Sequence, residues 1–324
     1  MRLRSLLIVL LLASGTGIHA QELFVHTEPA STMPKGVPGI RAFGQAYNEP
    51  GDHVRALTGL RIMYGVSSRL TVMATATASN HHGKTLPANF PHFNTPQIGV
   101  WLPWRFNGVN IYAKYRFWSR DGDHSHLRLA AYATASYLQV AHDEGEPDLT
   151  DDTKGVGAGI IATYLKNHFA VSFTGGAILP FDYVGDVPDW QPSLPGVPAR
   201  VKYGKALNYS LSFGYLLYPR TYNSYRQVNI NLYAEFLGKS YSRGQVFFEN
   251  LGGNGGTYEL SGTALTAFRA NTYVEAHPAV QFLFNSNLRV DLGVGFPLIS
   301  RSYVRYYPLY TVGIQRYLFP KDRK

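Results

Sequence analysis

The stretch Gln227-Val228-Asn229-Ile230-Asn231-Leu232-Tyr233-Ala234-Glu235-Phe236 decides the fold. In an extended chain successive side chains point to opposite faces. Val228, Ile230, Leu232, Ala234 and Phe236 therefore fall on one side, and Asn229, Asn231, Tyr233 and Glu235 on the other. A segment with one oily and one wet face suits a wall between lipid and a hydrophilic interior. The alternation recurs over 37–47, 56–64, 70–79, 109–118, 126–138, 156–165, 169–177, 205–217, 271–284, 288–296 and 307–319. In 109–118 the outer set is Val109, Ile111, Ala113, Tyr115 and Phe117, and the inner set Asn110, Tyr112, Lys114, Arg116 and Trp118.

The connections carry a second pattern. Those at 65–69, 119–125, 166–168, 219–224 and 285–287 are short. Those around His81, Glu146, Trp190 and Gly252 are long, while those near Asp52 and Ser302 are short exceptions. Outer-membrane barrels sort their connections this way, with short periplasmic turns, long outer loops and an even strand number. A soluble β-sandwich has no reason to do so. The reading is an all-β transmembrane antiparallel up-and-down β-barrel of about 12 strands with both chain ends in the periplasm.

Composition agrees. Charged residues make up 16% of the 324 residues, against about 25% in an average soluble domain. Tyr (23), Phe (18) and Gly (32) are abundant, and Cys is absent, which removes thiol nucleophiles and thiolate metal sites. The net charge of +9 comes from scattered Lys and Arg without a basic stripe, so no nucleic-acid partner is expected. Residues 1–20 read as an export signal, with Arg2 and Arg4 ahead of the apolar run Leu6–Ala13 and small Ala20 before the cut. That run is too short to cross a bilayer as a helix. Residues 21–36, rich in Pro and Thr, read as a periplasmic N-terminal segment, 37–319 as the barrel, and 320–324 as a C-terminal tail.

Three stretches add a resemblance. Thr311–Phe319, with Gly313, Tyr317 and Phe319, resembles the terminal-strand signal read by the outer-membrane assembly machinery. Tyr64-Gly65-Val66-Ser67-Ser68-Arg69-Leu70 resembles a strand–turn–strand junction of the outer-membrane transporters grouped with the phenol-degradation MetA-pathway proteins. Phe24-Val25-His26-Thr27-Glu28-Pro29-Ala30-Ser31 resembles the N-terminal segment of related Bacteroidetes barrels. The resemblance implies a Gram-negative outer-membrane barrel that passes small, apolar or aromatic molecules, with no catalytic residues.

The inward faces carry Arg61, Lys114, Arg116, Arg128, Glu235, Glu275, His277, Arg289 and Asp291. One reading makes them a selectivity lining, with cations of the early strands opposing carboxylates of the late ones across the lumen. The other makes them a salt-bridged plug, since isolated buried charges are costly. The expected function is passive or facilitated passage of small molecules, with lipid and a small solute as partners, no cofactor and no catalysis. The alternative is a closed structural or surface-interaction barrel with partner-binding outer loops. His81, His82, His92, His124 and His126 read as loop histidines rather than a metal site, and the acidic run from His142 to Asp152 as a solvated loop. Trp101, Trp104 and Trp118 read as anchors at the membrane–water interface.

Overall fold

The computed structural model describes residues 23–51, 53–81, 91, 101–142, 147–187, 196–221, 227–249, 257–260, 269–301 and 305–319. The proposed export signal, the tail at 320–324, His82, His92 and the glycine-rich run at 252–256 lie outside them. Sixteen strands are described. They are β1 (Pro38–Glu49), β2 (His53–Gly65), β3 (Leu70–Ser79), β4 (Arg105–Asp121), β5 (Ser125–Leu138), β6 (Gly155–Lys166), β7 (Phe169–Pro180), β8 (Tyr183–Asp186), β9 (Pro198–Lys202), β10 (Ala206–Tyr218), β11 (Asn229–Tyr241), β12 (Gln245–Glu249), β13 (Thr257–Leu260), β14 (Asn271–Phe284), β15 (Leu288–Ile299) and β16 (Leu309–Tyr317).

Twelve of them close into an antiparallel barrel of order β1-β16-β15-β14-β11-β10-β7-β6-β5-β4-β3-β2. Closure pairs the first strand with the last, from Gly39 opposite Tyr317 to Ala46 opposite Tyr310, so no wall edge is left unpaired toward lipid. The barrel strands are as long as a bilayer crossing requires. Their outward side chains are apolar and exposed: Ile62 is 58% exposed, Ile160 59% and Val312 54%. Aromatic side chains ring both ends of this band. Tyr64, Trp118, Tyr164, Phe169 and Tyr215 lie near the short turns, and Trp104, Phe106, Tyr137 and Tyr310 at the opposite end of the barrel. In a soluble protein such an apolar belt would drive association; in a bilayer it is the required surface.

Among the described residues four register shifts interrupt the wall ladders, and two of them lie in β4. A register shift between Arg116 and Trp118 sets Trp118 opposite Leu129. Trp118, expected inside, therefore faces out, because one extra residue flips every later side chain. A second shift between β3 and β4 pairs Thr77 with Gly108 and Ala78 with Phe106, leaving Asn107 as the extra residue. Gly108 sits at φ +145°, where a Cβ would lie 2.3 Å from the Tyr137 carbonyl oxygen.

The long loops around Trp190 and Gly252 contain a further sheet of order β13-β12-β9-β8. That order repeats β14-β11-β10-β7 of the wall, so each short strand follows or precedes the wall strand of matching rank. Val201 and Val246 face each other across β9 and β12 and are buried. Strands this short, set among Pro and Gly, carry no readable alternation of their own.

Residues 23–36, expected in the periplasm, lie inside the barrel. Phe24 and Val25 pack with Ala170 and Tyr233, and Met33 and Val37 with Met63, Met73 and Tyr317. The inward wall there is polar, so this segment is stable in the lumen only by finding a partner for each backbone group it buries.

Candidate functional site

The nine charged positions singled out in the sequence lie on inward faces of β2, β4, β5, β11, β14 and β15. They do not pair across an open lumen, as the lining reading supposed. Most converge on the N-terminal segment.

Glu235 of β11 is the densest contact. Its Oε1 accepts the backbone N–H groups of Val25 (2.7 Å) and His26 (2.9 Å). Its Oε2 accepts the N–H of Thr27 (2.9 Å) and the Thr27 hydroxyl (2.7 Å). Successive N–H groups aimed at one anion form a nest, and here the anion comes from the wall. The carbonyls between those amides are held by cations. Arg289 donates to Phe24 O, and Arg41 to Val25 O at 2.7 Å. Asp291 fixes both guanidiniums, at 3.2 Å from Arg41 and 2.7 Å from Arg289, and accepts from Gln281 at 3.1 Å.

Farther along the segment, Glu28 bridges Arg61 and Lys114, each at 3.0 Å, and Lys114 also donates to Pro29 O at 2.7 Å. Ala30 N–H donates to Thr163, Arg128 to Ser31, Thr32 to Ser68 O, and Met33 N–H to Thr71. Arg116 donates to Ser68 O at the turn end. The partners trace the path of the chain. Phe24 meets residues near the short turns, 26–28 reach mid-barrel, and 31–33 return to the turn end, where β1 begins. The segment is a re-entrant loop filling the turn-side half of the lumen.

Glu275 and His277 of β14 lie beside it. His277 Nε2 is 3.0 Å from Glu275, whose other oxygen accepts from Tyr307, and the His26 and His277 rings are 4.4 Å apart. Arg41, Glu28 and His26 were not among the singled-out residues. Alternation with Ile40 and Ala42 marks Arg41 as inward, whereas the two N-terminal residues have no periodic context to place them.

At the loop end, residues 147–153 fold back over the lumen. Leu149 packs with Ile178, Ala206, Tyr241 and Tyr273. Asp148 accepts from the Thr150 N–H and hydroxyl and faces Lys239 at 3.9 Å. Burial raises the Asp148 carboxyl, but Lys239, Arg305 and the Thr150 hydrogen bonds outweigh it and hold the group below the usual aspartate value. Asp151 is latched by His81 and by bulge residue Asn107, both at 2.9 Å. The acidic run is thus no solvated loop over 147–153: Asp151 and Asp152 are buried.

Between the re-entrant segment and this lid lies a cavity of about 320 Å³. Its floor is His26, Thr27 and Glu28, and its lid Asp148, Leu149 and Thr150. Its walls include Tyr112, Tyr132, Thr174, Asn208 and Lys239.

No protein-family model and no curated protein sequence matches the chain. Solved structures do. An outer membrane channel from Pseudomonas putida F1 superposes with a TM-score of 0.56 at 12% identity, over 91% of this chain and all (100%) of that one. The chain has the fold of an outer-membrane channel. This outer-membrane-type barrel also matches the NanC porin (TM-score 0.45, 9% identity, 87% of this chain and 99% of that one). The CymD monoaromatic hydrocarbon channel follows (0.44, 11%, 88% of each chain). The all-β class and the closure by twelve strands expected from the sequence are those of this structure, and the first of these matches agrees with the barrel fold.

Proposed function

We propose that this barrel resides in the outer membrane and gives small molecules passive or facilitated passage across it. The observation that carries the proposal is the cavity of about 320 Å³ at mid-barrel, between a re-entrant segment and a lid that are each held by non-covalent contacts. A wall built only for support would fill that space with side chains. Passage requires the segment or the lid to move, so the inward charges act on the solute's path mainly through the segment they hold. Arg61, Lys114, Arg116, Arg128, Glu235, Glu275, His277, Arg289 and Asp291 then line the path or fix what blocks it. The match to the outer membrane channel from Pseudomonas putida F1 accords with this reading.

The reading involves no chemistry. Among the described residues, no nucleophilic hydroxyl hydrogen-bonds His277. The terminal strand β16, with Gly313 and Tyr317, supports recognition by the outer-membrane assembly machinery. Liposome swelling tests passage. Vesicles carrying the folded protein swell in small neutral solutes at a rate that rises with protein content and falls with solute size. Swelling no faster than that of protein-free vesicles, with correctly folded barrel, would favour a closed barrel that interacts through its loops.

A further inference from the structure

On one side of the barrel the lipid-facing wall ends in cations. Lys154 directly precedes β6 and, by alternation, shares the outward face of Ile160 and Tyr164. Its Nζ lies 4.7 Å from the centroid of the exposed Tyr137 ring. Lys205 directly precedes β10, two residues before the outward Leu207, and is exposed. Between β6 and β10 runs β7. Leu179 ends its outward row, and Phe181 follows, its N–H donating to Lys154 O at 2.8 Å. Two lysines thus flank an apolar strand end, about 10 Å apart at the usual strand spacing.

The outer sheet extends the pattern. β8 follows β7 away from the wall, β9 descends into β10, and β12 climbs from β11. Arg200 of β9 is opposite Val184, and Lys202 is opposite Gln245. Asp186 and Glu249 end β8 and β12 at the far tip, so the two cations lie nearer the membrane than these carboxylates. Arg200 and Lys202 are exposed, and Lys202 Nζ lies 5.4 Å from the Phe247 ring centroid. Among the described residues, Lys154, Lys202 and Lys205 have no carboxylate partner. Arg200 meets Asp182 at 3.5 Å in an exposed pair, a contact of little strength in water.

Cations at the edge of an apolar band match a lipid whose headgroup carries phosphate. The phosphates meet the ammonium and guanidinium groups while the acyl chains run along Leu179, Phe181 and Leu207. A free anion would gain the charges and forgo the apolar strip. A zwitterionic lipid would cover the strip but bring an ammonium of its own to the cations. One phosphate reaches its donors over about 3 Å, so lysines about 10 Å apart require two phosphates.

We infer that the outer rim formed by Lys154, Arg200, Lys202 and Lys205 is a docking site for a membrane lipid bearing two separate phosphate groups. The inference rests on placement in the outer membrane and not on passage. Processed protein in a non-ionic detergent is titrated with diphosphoryl lipid A, its monophosphoryl form or phosphatidylethanolamine, and native mass spectrometry reads the bound lipid. A cation near an anionic lipid surface changes affinity by about fivefold. The diphosphoryl form therefore binds at least about fivefold more tightly than the monophosphoryl form, and phosphatidylethanolamine binds weakest. Lys154→Gln and Lys205→Gln each weaken the diphosphoryl form by about fivefold, whereas Lys154→Arg and Lys205→Arg retain it. Heat-modified gel mobility confirms that each variant is folded. Arg120→Gln combined with Lys166→Gln, exposed at the short-turn end, leaves binding unchanged. Equal binding of the two lipid A forms, unaltered affinity in the rim variants, or an equal loss in the turn-end variant overturns the inference. Displacement of the lipid by millimolar inorganic phosphate marks a free-anion site and also overturns it. Absence of solute-driven swelling with these lipid affinities intact overturns the passage reading and leaves the docking site standing.

Discussion

At the scale of single residues, Glu235 does the most. Its carboxylate is buried and anchors three consecutive amides and a hydroxyl. Hydrogen bonds to an ionised group each contribute about 1.5–3 kcal/mol, so the cluster outweighs any other contact along the segment. Glu235→Ala is expected to free residues 23–33, seen as rapid cleavage of the folded protein's N-terminus by added protease while the barrel itself resists. Glu235→Gln has an intermediate effect, since one side-chain oxygen becomes an N–H group that faces backbone donors. Unchanged protection in Glu235→Ala would show that Arg41, Arg289 and Lys114 suffice. Gly108 has a different role. A side chain there must accept φ +145° and a 2.3 Å approach to Tyr137 O, so Gly108→Ala is expected to lower the unfolding midpoint. It also displaces Asn107 from Asp151. Chemical denaturation in detergent checks the first effect, and amide exchange over 147–153 the second.

At the scale of elements, the lid over 147–153 responds to acid. Asp148 carries a carboxyl held below its ordinary value of 3.8. A group depressed by folding contributes stability above its unfolded value, and that contribution is lost as the pH falls through the lowered folded value. The lid should therefore keep full protection at neutral pH, begin to loosen below about pH 4 and be open in stronger acid. Hydrogen exchange at residues 148–153 reads this directly. Asp148→Asn, which cannot ionise, removes most of the pH dependence and leaves the lid weakly held throughout. A lid equally protected across the acid range would assign its closure to Leu149 packing and to the hydrogen bond from Asn107 to the Asp151 backbone carbonyl.

At the scale of the whole molecule, twelve strands enclose more room than side chains alone fill, and the chain's own N-terminal segment takes up half of it. Deleting residues 23–33 leaves the wall ladders intact, because none of those residues belongs to a strand. It exposes Arg41, Lys114, Glu235, Arg289 and Asp291 to water in the lumen, where their charges are tolerable once hydrated. The deletion variant should still fold, as judged by heat-modified gel mobility, and give a larger single-channel conductance in planar bilayers than the full chain. Equal conductance would place the constriction at the lid instead.

The strand faces were legible from local alternation, because period two is a property of a few neighbouring residues and survives without knowledge of the rest. The expected strand at 70–79 coincides with β3 and that at 271–284 with β14. Even the misread Trp118 follows from one inserted residue. The short strands of the outer sheet, the lid and the destination of residues 23–36 had no such signal. Val25 meets Glu235 across 210 positions of chain, a distance over which sequence pattern carries no information about contact. The sequence by itself determined a membrane barrel with a charged interior. Only the closed tertiary structure decided that those charges hold the chain's own leading segment, because inward side chains from distant strands acquire common neighbours only when closure fixes the register.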